Sequence, residues 1–136
     1  MAENNRYLGR GLQYPLKPGA DGGFRKDIEN QRIIQSSIGV ILGTRIGERL
    51  MRRTFGSNLY SIKHEPNGPR TWNFIRDEVL RALQTWEPRI DQLRVDVFPS
   101  SAPDPDGRFL LQIVISYIII SSNVPSNMVY PFFLER

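Results

Sequence analysis

The chain has 136 residues, 18 lysines and arginines against 14 acidic residues, one histidine and no cysteine. That length suits one domain with a real core. The absence of cysteine excludes disulfides and thiolate metal sites, a single histidine argues against a zinc centre, and a net charge of +4 suits an acidic partner without arguing for nucleic acid.

Residues 1–26 are rich in glycine and polar side chains and read as an extended arm, with Tyr14-Pro15-Leu16 and Gly22-Gly23-Phe24 as apolar anchors. The stretch from Met1 to Arg10 has no signal-peptide core. A single domain is expected over 27–136. Asp27 is placed to cap a first helix from about Glu29 to Leu42, with Ile34, Ile38, Ile41 and Leu42 at helical spacing and Gly43 as its C-cap. Its small interior residues Ser36, Ser37 and Gly39 suit close packing against another element.

The run from Thr44 to Met51 is too short and too charged for a core strand. Within it, Glu48 beside Arg49 could fix a loop by an ion pair, and Arg49, Arg52 and Arg53 make a small basic cluster next to Phe55. That cluster reads as a solvated face, or as a site for an acidic or phosphate partner. Tyr60 to Gly68 reads as a loop that carries a surface His64.

A strong amphipathic helix follows. Trp72, Ile75, Val79, Ala82, Leu83 and Trp86 fall within one arc at about 100° per residue. Asp77 and Arg81 are spaced to pair at i, i+4. Phe74 lies on the polar side. Pro69 suits a first turn, and Pro88 should stop the helix near Trp86. The stop holds a carboxylate and a guanidinium on either side of a proline, Glu87-Pro88-Arg89.

Leu93, Val95 and Val97 alternate with polar residues as in a half-buried strand. After a proline- and aspartate-rich turn, 108–121 reads as a long strand. Its odd positions from Phe109 to Ile119 are apolar, but Leu110, Val114, Ile118 and Ile120 make its even face apolar too. A half-buried strand needs one apolar face, so a second element or another chain should cover the other. The run from Ile113 to Ile120 is broken by Ser116 and too short to span a membrane as a helix. A turn over 122–127 then leads to a short strand from Met128 to Leu134, limited by Pro131. The fold class expected is α+β: two main helices on one face of a small antiparallel sheet, with an extended N-terminal arm.

For chemistry, Glu48 and Glu87 are the candidate pair for a glycosidase, which needs two carboxylates, one protonated. Each lies close to an arginine, and an arginine that reaches its carboxylate favours the charged form, the wrong direction for a general acid. Gly19 to Gly23 lacks the lysine and the strand-to-helix setting of a phosphate loop. Aromatic and basic residues do not interleave as in a single-strand-binding platform. No catalytic residue, cofactor or metal is expected.

Gly11-Leu12-Gln13-Tyr14-Pro15-Leu16, Gly22-Gly23-Phe24, Thr44 through Gly47-Glu48-Arg49, Phe55-Gly56, Trp86-Glu87-Pro88-Arg89-Ile90 and Tyr130-Pro131-Phe132 together resemble the baseplate wedge family of contractile phage tails. That family includes TssE-like subunits of type VI secretion and sheath initiators of related injection particles, and it is historically labelled lysozyme-like. The resemblance covers nearly the whole chain in order, and Glu-Pro-Arg is its most specific element. It implies a non-enzymatic structural subunit, in six copies around the tube. Glu87, Pro88 and Arg89 would dock on the helical core bundle of the wedge, and Gly47, Glu48 and Arg49 form a second structural or interface motif. The C-terminal strands, through Ile113, Ile115, Ile118, Ile120, Tyr130, Pro131 and Phe132, would contact sheath protein by strand addition. Tube or hub proteins are further neighbours; neither nucleic acid nor membrane is expected as a partner. The implied location is the cytoplasm during assembly, then a phage tail or contractile injection particle. Arg89→Ala is expected to weaken wedge binding more than folding.

Overall fold

A computed structural model describes residues 11–12, 16–24, 26–27, 30–100, 106–120 and 123–134. The elements run β1 (Gly11–Leu12), β2 (Lys26–Asp27), α1 (Asn30–Gly43), α2 (Leu59–Ile62), α3 (Pro69–Trp86), β3 (Ile90–Pro99), β4 (Phe109–Ile119) and β5 (Val124–Leu134). The architecture is α+β, as the sequence pattern implied.

β3, β4 and β5 form an antiparallel meander with β4 in the centre. Alternation decides which face each side chain joins. Leu111, Ile113, Ile115, Tyr117 and Ile119 of β4 point inward and are buried, with Val95 of β3 and Phe132 and Leu134 of β5 beside them. α3 lies along β3, and α1 packs on α3 and reaches β5. Ile34, Ile38, Ile41 and Leu42 of α1 and Ile75, Val79, Ala82 and Leu83 of α3 complete one core. Full burial of a side chain of this size contributes about 1.5–3 kcal/mol, which makes this cluster the main source of stability.

β3 contains a bulge. Asp91 faces Ile118 and Arg94 faces Ser116, so Gln92 and Leu93 oppose Tyr117 alone. Gln92 takes a positive φ of 50° there. The extra residue resets the alternation, so Ile90 before the bulge and Leu93, Val95 and Val97 after it all reach the core.

Several sequence expectations are corrected. Asp27 lies in β2, paired with Gly11, and so is not the N-cap of α1. Gly43 is the last residue of α1 rather than a cap beyond it. The expected 60–68 loop begins with the short helix α2. The last strand starts at Val124, not Met128, and runs through Pro131, which β5 tolerates as an edge strand. Arg81 pairs with Glu78 at i, i+3, with Nη2 2.6 Å from Oε1, rather than with Asp77. Tyr14 and Pro15 of the proposed anchor lie outside the described residues, while Leu16 and Phe24 are exposed.

Candidate docking site

The helix stop builds the site. The Glu87 amide still donates to the Leu83 carbonyl at 2.9 Å and so closes α3. Pro88 cannot donate, and Glu87 leaves the helical region with φ −119° and ψ 87°, as a residue before proline must. The chain turns, and Arg89 folds back on Glu87: Nε donates to Oε1 at 2.6 Å and Nη2 to Oε2 at 2.9 Å. This is the rigid two-bond fork that arginine makes with a carboxylate. Nη2 also donates to the Ser37 hydroxyl on α1 at 2.9 Å, so one guanidinium ties the end of α3 to the middle of α1. The hydrogen bonds to Glu87 raise the Arg89 pKa further above its ordinary value. The Arg89 carbonyl accepts from the Ile120 amide at 3.0 Å, which anchors the turn to β4.

The two charges differ in exposure. The Glu87 side chain is 2% exposed and that of Arg89 is 29% exposed. Arg89 lines a groove of about 450 Å³ between α1 and the end of α3, whose walls include Ser37, Val40, Ile41, Phe55 and Trp86. Phe55 meets the Trp86 ring edge-on at 5.0 Å. The groove is thus mostly apolar, with a guanidinium at its margin. Ser36 and Ser37 are small where the sequence suggested close packing; they line the groove, and Ser37 also reaches Arg89.

The buried state of Glu87 changes one expectation. Arg89→Ala would strand a carboxylate inside the protein, so the substitution attacks folding as well as any docking. As for hydrolysis, both oxygens of Glu87 are held by Arg89, and Oε2 of Glu48 accepts the Arg45 amide at 2.9 Å. Glu87 is a buried, paired carboxylate, while Glu48 is exposed beside a groove that it lines with Arg45 and Tyr60. Among the described residues no cluster of three or more histidine, cysteine or acidic side chains could hold a metal ion.

Gly47-Glu48-Arg49 builds a turn rather than an ion pair. Gly47 has φ +89°, and its amide donates to the Arg53 carbonyl at 2.8 Å. Arg49 lies over the Phe55 ring at 4.8 Å instead of meeting Glu48. Gly56, at φ +112°, is obligatory: a Cβ there would stand 2.3 Å from the Thr44 carbonyl oxygen.

The C-terminal residues divide between two faces. Ile113, Ile115 and Phe132 turn their side chains into the core. Tyr130 packs partly against that core. Ile118, Ile120 and Pro131 lie away from it, Ile120 being 59% exposed. β4 is paired on both sides, so it has no edge to offer; the outer edges of β3 and β5 are unpaired among the described residues. The even face of β4, with Leu110, Val114 and Ile118, is not covered by any described helix. Sequence reasoning named Ser37 for packing alone and missed its bond to Arg89, and it missed the Arg45 amide contact of Glu48.

A family model described as baseplate wedge protein gp25 matches residues 29–124. Baseplate protein W of Escherichia phage P2 is 36% identical over 103 residues, covering 76% of this chain and 77% of its own. A crystal structure of a putative tail lysozyme from Geobacter sulfurreducens superposes with a TM-score of 0.62 at 36% identity, over 78% of this chain and 92% of that one. A chain in the baseplate complex of the type VI secretion system has the same fold, with a TM-score of 0.63 at 14% identity over 76% of this chain and 92% of its own. Another, in the anti-feeding prophage baseplate, gives 0.58 at 17% identity, over 94% of this chain and 87% of its own.

Proposed function

The chain belongs to the baseplate wedge protein gp25 family, a structural subunit of a contractile baseplate, and on that premise we propose that it docks on the wedge's helical core bundle through the Glu87-Pro88-Arg89 groove and starts sheath assembly. The carrying observation is the Arg89 fork. Buried Glu87 fixes it, Ser37 braces it against α1, and it remains partly exposed at the rim of an apolar groove. A guanidinium held in place before binding loses little entropy on binding, and its positive charge beside an apolar groove suits a partner that brings carboxylates or the carbonyl end of a helix. The open edges of β3 and β5 suit addition of a sheath strand. The uncovered even face of β4 would be covered in the same assembly. Six copies around a tube, contact with tube or hub proteins, and cytoplasmic assembly before entry into the particle complete the reading.

The role is structural. The lysozyme label carried by one similar structure would require Glu48 and Glu87 to act as an acid and a second carboxylate, and both are engaged in holding the fold.

The test uses variants that leave Glu87 paired. Val40→Phe fills the groove from the α1 side, and Arg89→Lys keeps the charge while losing the fork. Each should lower co-purification with the wedge proteins at least fivefold while the melting temperature of Val40→Phe stays within a few degrees. Wedge binding unchanged in both would overturn the groove as the docking site. Muramidase activity that Glu87→Gln abolishes in a folded protein would instead establish the glycosidase.

A further inference from the structure

The connection between α1 and α3 concentrates the charge of the molecule. Residues 44–64 hold five basic side chains (Arg45, Arg49, Arg52, Arg53 and Lys63) against one acid, Glu48. That excess equals the net charge of the whole chain, so the remaining residues balance to zero. None of Arg45, Arg49, Arg52 and Arg53 forms an ion pair among the described residues.

At the tip of this loop stand two large apolar side chains, Leu50 at 89% and Met51 at 99% exposure. The loop is well fastened at its base. The Gly47 amide donates to Arg53, the Ile46 amide to Ser57 and the Ser57 amide to Thr44, while Arg45 lies 4.4 Å over the Tyr60 ring. Met51 itself takes φ 66°, a conformation disfavoured for a side chain of its kind. The fastened turn holds two hydrophobes in water, where they bury nothing within this chain.

We propose that this loop is a second docking surface, which inserts Leu50 and Met51 into an apolar pocket on a neighbouring baseplate protein whose rim is acidic. An apolar knob within a ring of charged groups is the usual anatomy of a binding hot spot. The cations are arginines at every tip position, the residue that forks onto carboxylates and gives up its hydration most readily. The charge imbalance steers an acidic surface to this side of the molecule and away from the neutral remainder. Two side chains without an aromatic or a helical apolar face make a poor membrane anchor, and the basic residues do not track a groove, as a nucleic-acid site would require.

The proposal rests on baseplate membership but not on the Arg89 groove. Two variants of the full chain test it, Leu50→Ser/Met51→Ser and Arg52→Glu/Arg53→Glu, compared with the groove variant Val40→Phe for retention by the baseplate proteins of the particle. Because all four loop positions are exposed, melting temperatures should stay within about 2 °C. Retention should fall tenfold or more in each loop variant at 150 mM salt. A photo-reactive phenylalanine at position 51 should cross-link to a partner segment flanked by aspartate or glutamate, and reversing those acids to arginine should restore binding by Arg52→Glu/Arg53→Glu. Full retention of both loop variants, or a cross-link to a segment without acids, would overturn the proposal even if Val40→Phe fails to bind. Loop-dependent binding to vesicles of phosphatidylglycerol and phosphatidylcholine, or to a 20-base-pair DNA duplex, would overturn it in favour of an anionic lipid or nucleic acid.

Discussion

Arg89→Ala gives the sharpest test of how the Glu-Pro-Arg turn is built. The substitution removes two charge-assisted hydrogen bonds, at 2.6 and 2.9 Å, from a carboxylate whose side chain is 2% exposed. Removing one partner of a fully buried ion pair costs about 3–5 kcal/mol, because the other charge is left uncompensated. Arg89 is itself 29% exposed at a groove, so water can follow it in, and the expected loss is about 2–3 kcal/mol. For a chain of this size that lowers the melting temperature by about 6–10 °C. Urea unfolding of Arg89→Ala, Glu87→Gln and the double variant measures the coupling directly. Removing the charge as well should recover at least half of the stability lost by Arg89→Ala. A single variant within about 0.5 kcal/mol of the parent, or a double variant no better than Arg89→Ala, would show that Glu87 does not depend on its arginine. The same result bears on binding experiments: co-purification of Arg89→Ala mixes unfolding with docking, which is why Val40→Phe and Arg89→Lys serve there.

Three further outcomes follow from the geometry. Gly56→Ala should destabilise by about 3 kcal/mol or more, read from urea midpoints, because its Cβ would meet the Thr44 carbonyl at 2.3 Å with φ at +112°. Burial works to raise the Glu78 pKa, but the hydrogen bonds from Arg81 and the Asn58 amide outweigh it and hold the carboxyl below the usual 4.5. Its folded pKa is thus the lower one, so its contribution is full at neutral pH, fades as pH falls below about 4.5 and vanishes below the folded value. Glu78→Gln should therefore lose stability at pH 7, by about 0.5 kcal/mol given the exposed Arg81, and the difference should close as pH falls below the usual carboxylate range and through the folded value. The Tyr117 hydroxyl is buried without a hydrogen-bond partner among the described residues, and burial, followed by the charge of Glu87, raises its pKa. Tyr117→Phe should leave stability unchanged or raise it by up to about 1 kcal/mol, and a loss above that in chemical denaturation would mean the hydroxyl is satisfied.

The sequence revealed elements whose signals are periodic and whose ends are chemical. α3 was legible because six apolar residues share one arc and Pro88 stops it; β4 was legible because its odd positions are all apolar. The β3 bulge was not, since an extra residue at Gln92 leaves the downstream alternation of Leu93, Val95 and Val97 intact and shows itself in register alone. Arg81 pairs with Glu78 rather than Asp77, and Glu78 also accepts the Asn58 amide, 20 residues away in sequence, a contact that no helical spacing reveals. Pro131 was read as a limit, yet an edge strand has room for it, and edge position is a tertiary property. At the candidate site, Glu87 and Arg89 could be named from their spacing. Their unequal burial and the bond to Ser37, 52 residues away, needed the packed structure. Neighbouring residue types likewise suggested Glu48 with Arg49, where the turn instead points Glu48 at the Arg45 amide and Arg49 at Phe55.

Sheath assembly with and without this chain tests the central reading most directly. Purified wedge and sheath proteins, combined with the full chain and imaged by negative stain, should form short sheath rings or tubes seated on baseplates. Without the chain, or with Val40→Phe in its place, those rings should be absent. Sheath that assembles on baseplates equally well when the chain is left out would contradict the proposed role as sheath initiator.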